Sequence, residues 1–335
     1  MPVNPEWLKQ VKEESLEPEL RICDPHHHLW DHPDSRYLLE DFLEDTKSGH
    51  NVVSTVFIEC MSKYWDDASE AMAPVGETEF VQSVANVSAT RDYGETKVAA
   101  AIVSHADLLL GNAVDEVLVR HIEASPNRFR GIRHACGWDA SEVIRNSHTN
   151  PPQQLYLTEE FRKGFARLGE FDLTFDAWLY HTQLPELLSL AQTFPDQPIV
   201  LDHVGGPLGI GPYEGRRNAI LETWKKDISD LAQCDNLVVK LGGLAMAING
   251  HQWHKQEFPP TSKKLAEATR PYLLHCIEEF GPQRCMFESN FPVDKVSCSY
   301  NVLWNSFKRV TAEFSEDEKH AMYYDTAVRF YSIKD

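Results

Sequence analysis

Eight short runs rich in apolar and β-branched residues recur along this chain, and nothing else restricts its fold so tightly. They are "RICDPHHHLW" (21–30), "VVSTVFIECM" (52–61), "KVAAAIVSHA" (97–106) and "FRGIRHACGW" (129–138), followed by "LTFDAWLYH" (173–181), "PIVLDHVGG" (198–206), "NLVVKLGGLA" (236–245) and "RCMFESNFP" (284–292). Their apolar halves are nearly continuous in Val, Ile, Leu and Ala, as parallel strands covered on two faces should be. Between them lie helical patterns. The stretch 76–92 is expected to turn Phe80, Val81, Val84 and Val87 to one face, and 111–125 does the same with Val114, Val117, Leu118 and Ile122. Two more, 183–194 and 262–281, repeat the spacing, the second bent or begun at Pro271. Strand and helix alternating eight times predict an α/β fold, a single-domain (β/α)8 TIM barrel. An open doubly wound sheet is the rival, and the first strand lacks the glycine fingerprint that would support it.

The 335 residues suit one barrel, and 42% hydrophobic residues are enough for its core. Residues 1–20 read as an N-terminal helical extension and 21–335 as the barrel. A net charge of −19 with no basic stripe excludes nucleic acid and anionic membranes as partners. The seven cysteines form no CxxC pair, which points to reduced thiols. The first twenty residues show no secretory signal, and no apolar run is long enough to span a bilayer. A cytoplasmic protein acting on a small molecule is expected, with self-association left open.

Chemistry in such a barrel sits at the C-terminal strand ends. This chain puts Asp24, His26, His27 and His28 at the first and Glu59 at the second. Arg133 and His134 end the fourth, Asp176, Tyr180 and His181 the fifth, and Asp202 and His203 the sixth. Lys240 ends the seventh, and Glu288, Asn290 and Asp294 the eighth. Side chains alternate along a strand, so His26 and His28 point one way and His27 the other, outward against a helix. An HxH pair at the barrel mouth can hold one ion or one substrate oxygen. The segments 62–76, 139–160 and 250–264 are long enough to roof that mouth, and Trp65, Trp138 and Trp253 are expected to shape the space beneath.

With "DPHHHLW", "GIRH", "LDHVGGP", "VVKLGG" and "MFESNFP" in order, residues 20 to 330 resemble the amidohydrolase superfamily. More narrowly they are similar to the amidohydrolase-2 branch, which includes 2-pyrone-4,6-dicarboxylate lactonase and the sugar and muconolactone lactonases. The resemblance implies that His26, His28 and His203 face one ion or substrate. It implies that Arg133 holds a substrate carboxylate, and that Tyr180 or His181 is a ligand at strand five. Lys240 is either a substrate ligand or an internal counter-ion. The metal would be zinc or manganese, although some members of the branch work without one.

One departure matters. The family's eighth strand ends Gly-Ser-Asp-Trp-Pro, with the aspartate as general base, whereas here Glu288-Ser289-Asn290-Phe291-Pro292 stands in its place. An amide cannot take that proton. Glu288 shares the strand face with Asn290, and a carboxylate buried there is expected to have a raised pKa suited to proton transfer. The leading expectation is hydrolysis of a carboxylated lactone or cyclic ester, with Glu288, Asn290 and His203 at the reacting atoms. The alternatives are a metal-dependent decarboxylase of an aromatic acid, a hydrolase of amide or other C–N bonds, and a silent barrel that binds a small ligand.

Overall fold

In the computed structural model, which describes residues 3–32, 35–92 and 94–334, eight parallel strands follow one another in chain order around a barrel. They are β1 (Arg21–His27), β2 (Asn51–Ile58), β3 (Lys97–Ser104), β4 (Phe129–Arg133), β5 (Thr174–Ala177), β6 (Ile199–Leu201), β7 (Leu237–Leu241) and β8 (Cys285–Phe287). Residues just beyond β8 close the ring on β1. Asn290 N donates to the His26 carbonyl at 2.9 Å, and His28 N donates to the Phe291 carbonyl at 2.8 Å. A two-stranded antiparallel ribbon, Trp30–His32 with Ser35–Tyr37, branches from the end of β1.

The apolar halves of the strands are buried on both faces, which is why they read as continuous runs. Outside the barrel one large core joins sheet to helices. Inside it, Cys23, Val56, Ile58, Ala101, Val103, Val200 and Met286 fill the lower layer. Tyr324, Ala327, Tyr331 and Ile333 from the C-terminal segment plug it from below. Above that plug the interior turns polar.

Two helices differ in detail from the sequence expectation. Helix Val75–Ala89 faces the sheet with Val81, Ala85 and Ser88, while Val87 is 42% exposed and Phe80 and Val84 are only partly covered. Glu77 sets this rotation, because its Oε1 accepts from Cys60 N at 3.0 Å and from Ser62 N at 2.7 Å behind β2. Helix Ser262–Phe280 runs through Pro271 without ending. Within 3–20, only Pro5–Leu8 of the expected extension is helical. The remainder docks through Leu16 N on Asn305 Oδ1 and through Glu13 on Ser262 N. All seven cysteines are free, and no helix among the described residues is long and apolar enough to cross a membrane.

Candidate active site

The polar layer is built from one or two side chains per strand end. Glu288 follows β8 at once, with no exposed surface, and lies between two imidazoles. Its Oε1 accepts from His203 Nδ1 at 2.6 Å and from His203 N at 3.1 Å. Its Oε2 lies 2.9 Å from His26 Nδ1 but makes no hydrogen bond of good geometry. Burial alone would raise the Glu288 carboxyl, but His203 and His26 outweigh it and hold the pKa down at about 2. The expected raised pKa is therefore corrected: two imidazoles face the carboxylate, and Glu288 stays ionised.

The glycines of "VVKLGG" explain how these groups fit. A Cβ on Gly242 would lie 2.4 Å from Glu288 Cγ, and one on Gly243 would lie 2.4 Å from His203 Cγ. Gly243 also has φ +64°, which favours glycine. His203 itself is held in the left-handed region, at φ 54°. Such strain persists only where neighbours over-determine it.

Below this pair runs a chain of buried charges. Lys240 Nζ donates to Asp176 Oδ2 at 2.6 Å and lies 3.0 Å from Asp202 Oδ1. Tyr331, from the C-terminal plug, donates to the same Asp176 oxygen at 2.8 Å. Burial raises Asp176 to about 6, against the pull of Lys240. Lys240 is thus an internal counter-ion. Arg133 is committed too. Its Nε donates to Glu59 Oε1 at 2.7 Å and its Nη2 to the Glu59 carbonyl at 2.6 Å. Its Nη1 lies 3.3 Å from His26 Nε2 and 3.5 Å from Asp202 Oδ2. No fork is left over for a substrate carboxylate.

His26 has cationic donors against both ring nitrogens, with Lys240 Nζ 3.2 Å from Nδ1 and Arg133 beside Nε2. Burial, then Lys240 and His203, lower its pKa to about 4, so the ring is neutral at pH 7. The His28 ring meets His26 edge-on at 5.0 Å, and its Nδ1 donates to the Ile58 carbonyl at 2.8 Å. His27 turns outward and stacks on Phe42 at 4.1 Å.

A family model described as "Amidohydrolase" matches residues 23–333. The chain belongs to that family and is an amidohydrolase-related hydrolase. An uncharacterized protein of Sinorhizobium fredii, y4mH, is 33% identical over 338 residues, covering 94% of this chain and 99% of that protein. L-Fucono-1,5-lactonase of Burkholderia multivorans is 25% identical over 324 residues, covering 94% of this chain and 96% of the lactonase. A solved amidohydrolase from Burkholderia multivorans with bound zinc has the same fold. It superimposes with a TM-score of 0.72 at 22% identity, covering 93% of this chain and 99% of that one.

In this amidohydrolase the remaining expected residues are engaged with other partners. Tyr180 donates its hydroxyl to the Arg145 carbonyl. His181 Nδ1 accepts from Leu208 N at 3.3 Å, and its ring packs on Tyr213. Trp178, two residues before Tyr180, is the strand-five side chain that meets the site, with its ring edge on His203 at 4.8 Å. Asn290 Nδ2 donates to Asp294 Oδ1 at 3.0 Å, and Ala245 N donates to Asp294 Oδ2 at 3.1 Å. Burial lifts Asp294 to about 7. His148, from the segment after β4, reaches down to within 3.0 Å of Glu59 Oε2. Trp65 and Trp253 pack elsewhere, the first bonded to Glu79 and the second stacked on His251.

His26, Asp202 and His203 each offer a ligand atom within 4.8 Å of the others, and all three are buried. Asp202 fills the place that spacing gave to His28. Two observations fit a divalent cation here. Both Asp202 oxygens lack a hydrogen bond of good geometry among the described residues, although Lys240, Arg133 and His26 lie within ion-pair distance of them. Four buried carboxylates (Glu59, Asp176, Asp202 and Glu288) also face two fixed cations, Arg133 and Lys240, an excess of negative charge that burial penalises.

Proposed function

We propose that this enzyme hydrolyses the lactone of a neutral polyhydroxy acid. The observation that carries the reading is the His203–Glu288 pair. A carboxylate fixed on Nδ1 holds the imidazole in one tautomer and leaves Nε2 with a free lone pair, and it stabilises the imidazolium that proton transfer creates. Water attacks the lactone carbonyl carbon while His203 Nε2 takes its proton. The carbonyl π pair moves to oxygen, forming a tetrahedral oxyanion. Collapse re-forms the carbonyl and breaks the ring C–O bond. His203 returns its proton to the leaving alkoxide, and the open hydroxy acid forms.

Net charge supports the substrate class. A site with excess buried carboxylate and a fully committed Arg133 repels an anionic substrate, so the carboxylated lactone of the sequence reading gives way to a neutral sugar lactone. The lactonase relative from Burkholderia multivorans supports the same choice. Where a divalent ion is bound, His26, Asp202 and His203 would hold it, and it would supply Lewis-acid polarisation of a carbonyl.

The test is a panel of neutral and carboxylated lactones, read by acid release, on protein stripped with a chelator. Turnover of neutral sugar lactones by the metal-free protein, lost in His203→Asn, is expected. Strict dependence on added metal would sink the role of His203 as base. Preference for carboxylated lactones would sink the substrate class.

A further inference from the structure

A cavity of about 800 Å³ lies on the same barrel face as Glu288 but contains none of the Glu288 cluster. Segments following β4, β5 and β6 build it, with Trp138 and Tyr213 as its aromatic walls. Gln183 ties two of these segments together, its Oε1 accepting from Trp138 N at 2.9 Å and Tyr180 N at 3.3 Å. Its volume is in the range of small-molecule sites. Trp178 meets His203 at 4.8 Å and Tyr180 at 5.7 Å, and Tyr180 N in turn donates to the lining residue Gln183.

The lining chemistry is selective. Asp139 and Glu186 are acidic, Gln153 and Gln154 carry amides, and no lining residue is Lys, Arg or His. Glu186 Oε2 is buried with no hydrogen-bond partner among the described residues. Tyr213 donates to Asp139 Oδ2 at 2.6 Å, which fixes one aromatic wall. Partly exposed Trp138 offers a flat apolar face. An aromatic face takes the C–H side of a sugar ring, while amides and carboxylates take its hydroxyls. Two carboxylates without a cation turn anions away.

We propose that this cavity is a saccharide subsite, holding a neutral sugar residue joined to the lactone that the catalytic groups open. The part about what the sugar is joined to rests on the lactonase reading. The subsite selects substrates longer than one ring.

The experiment compares glucono-1,5-lactone with lactobiono-1,5-lactone, which carries one further neutral sugar. A kcat/KM at least about tenfold higher for the disaccharide lactone, carried by KM, is expected. Trp138→Ala should bring that ratio close to one, and Glu186→Gln, which keeps the side-chain shape, should lower it part of the way. A ratio near one in the wild type, with gluconolactone turned over, overturns the subsite and leaves the lactonase reading standing. If neither lactone is opened, that reading fails, and cellobiose titrated into the same wild-type protein by calorimetry decides the subsite alone. Saturable binding lost in Trp138→Ala supports it, and no binding overturns it.

Discussion

Glu288 Oε1 accepts two hydrogen bonds from one residue, His203, through the ring at 2.6 Å and the backbone at 3.1 Å. The pair therefore fixes both where the imidazole sits and which nitrogen carries its proton. Glu288→Gln would keep the shape but replace a charged acceptor with an amide that competes as a donor. Turnover is expected to fall roughly 10²-fold or more, the size of an acid/base contribution. Near-normal kcat in that variant would remove Glu288 from the mechanism.

Gly243 gives His203 its room. A methyl group there would meet the imidazole at 2.4 Å on a backbone of φ +64°. Gly243→Ala is expected to cost about 1–2 kcal/mol of stability through the left-handed backbone alone. It should also lower kcat more than it raises KM, because the base is displaced. Denaturant unfolding and steady-state kinetics on the same preparation check both.

Asn290→Asp restores the family's strand-eight residue, yet it places a carboxylate about where an amide now donates to Asp294 at 3.0 Å. Asp294 has a pKa raised to about 7, so it is protonated at pH 5 and charged at pH 8. The variant should lose roughly 1–3 kcal/mol of stability at pH 8, where two like charges meet, and clearly less at pH 5. Equal losses at the two pH values would show that the charges do not interact.

His121 lies outside the site, with Nδ1 against Thr78 Oγ1 at 2.8 Å and Nε2 against the His105 carbonyl at 3.0 Å. Burial lowers its pKa to about 3. The unfolded chain takes up the proton as pH falls through about 6.5, and the folded chain does not until about 3. Stability is therefore lost as pH falls across that window. From pH 7 to pH 5 this residue contributes a loss of about 2 kcal/mol. His121→Gln should flatten the acid side of the stability curve by that amount, as read by urea unfolding at the two pH values.

Zinc titrated into chelated protein should bind at one site per chain. Asp202→Asn and His26→Ala should each weaken it by tenfold or more, since each removes one donor of the buried set. His28→Ala should weaken it less, because His28 is not one of the three. A larger loss with His28→Ala than with Asp202→Asn would restore the HxH pair as the metal site.

Periodicity and position made much of this legible. Eight apolar runs with helices between them specify the barrel, because each strand must be covered on two faces and each helix must cover one. The alternation of His26, His27 and His28 foretold that His27 would face outward, where it stacks on Phe42.

Partner choice was not legible. Arg133 read as a substrate ligand, Glu288 as a proton-transfer group and Lys240 as either a substrate ligand or a counter-ion, because a sequence shows which residues reach the barrel mouth but not which of them meet. The rotation of helix Val75–Ala89 was hidden for a like reason: one buried carboxylate, Glu77, overrode the apolar pattern by taking two backbone donors. The sequence by itself determined the barrel, its polar face and the missing aspartate at 290, since local periodicity and chain order carry that information. Only the tertiary structure decided that Arg133 is spent on Glu59, that Asp202 joins His26 and His203, and that Glu288 is held ionised. Those outcomes depend on distances between strands far apart in sequence, where burial and neighbouring charge set both the pairing and the pKa.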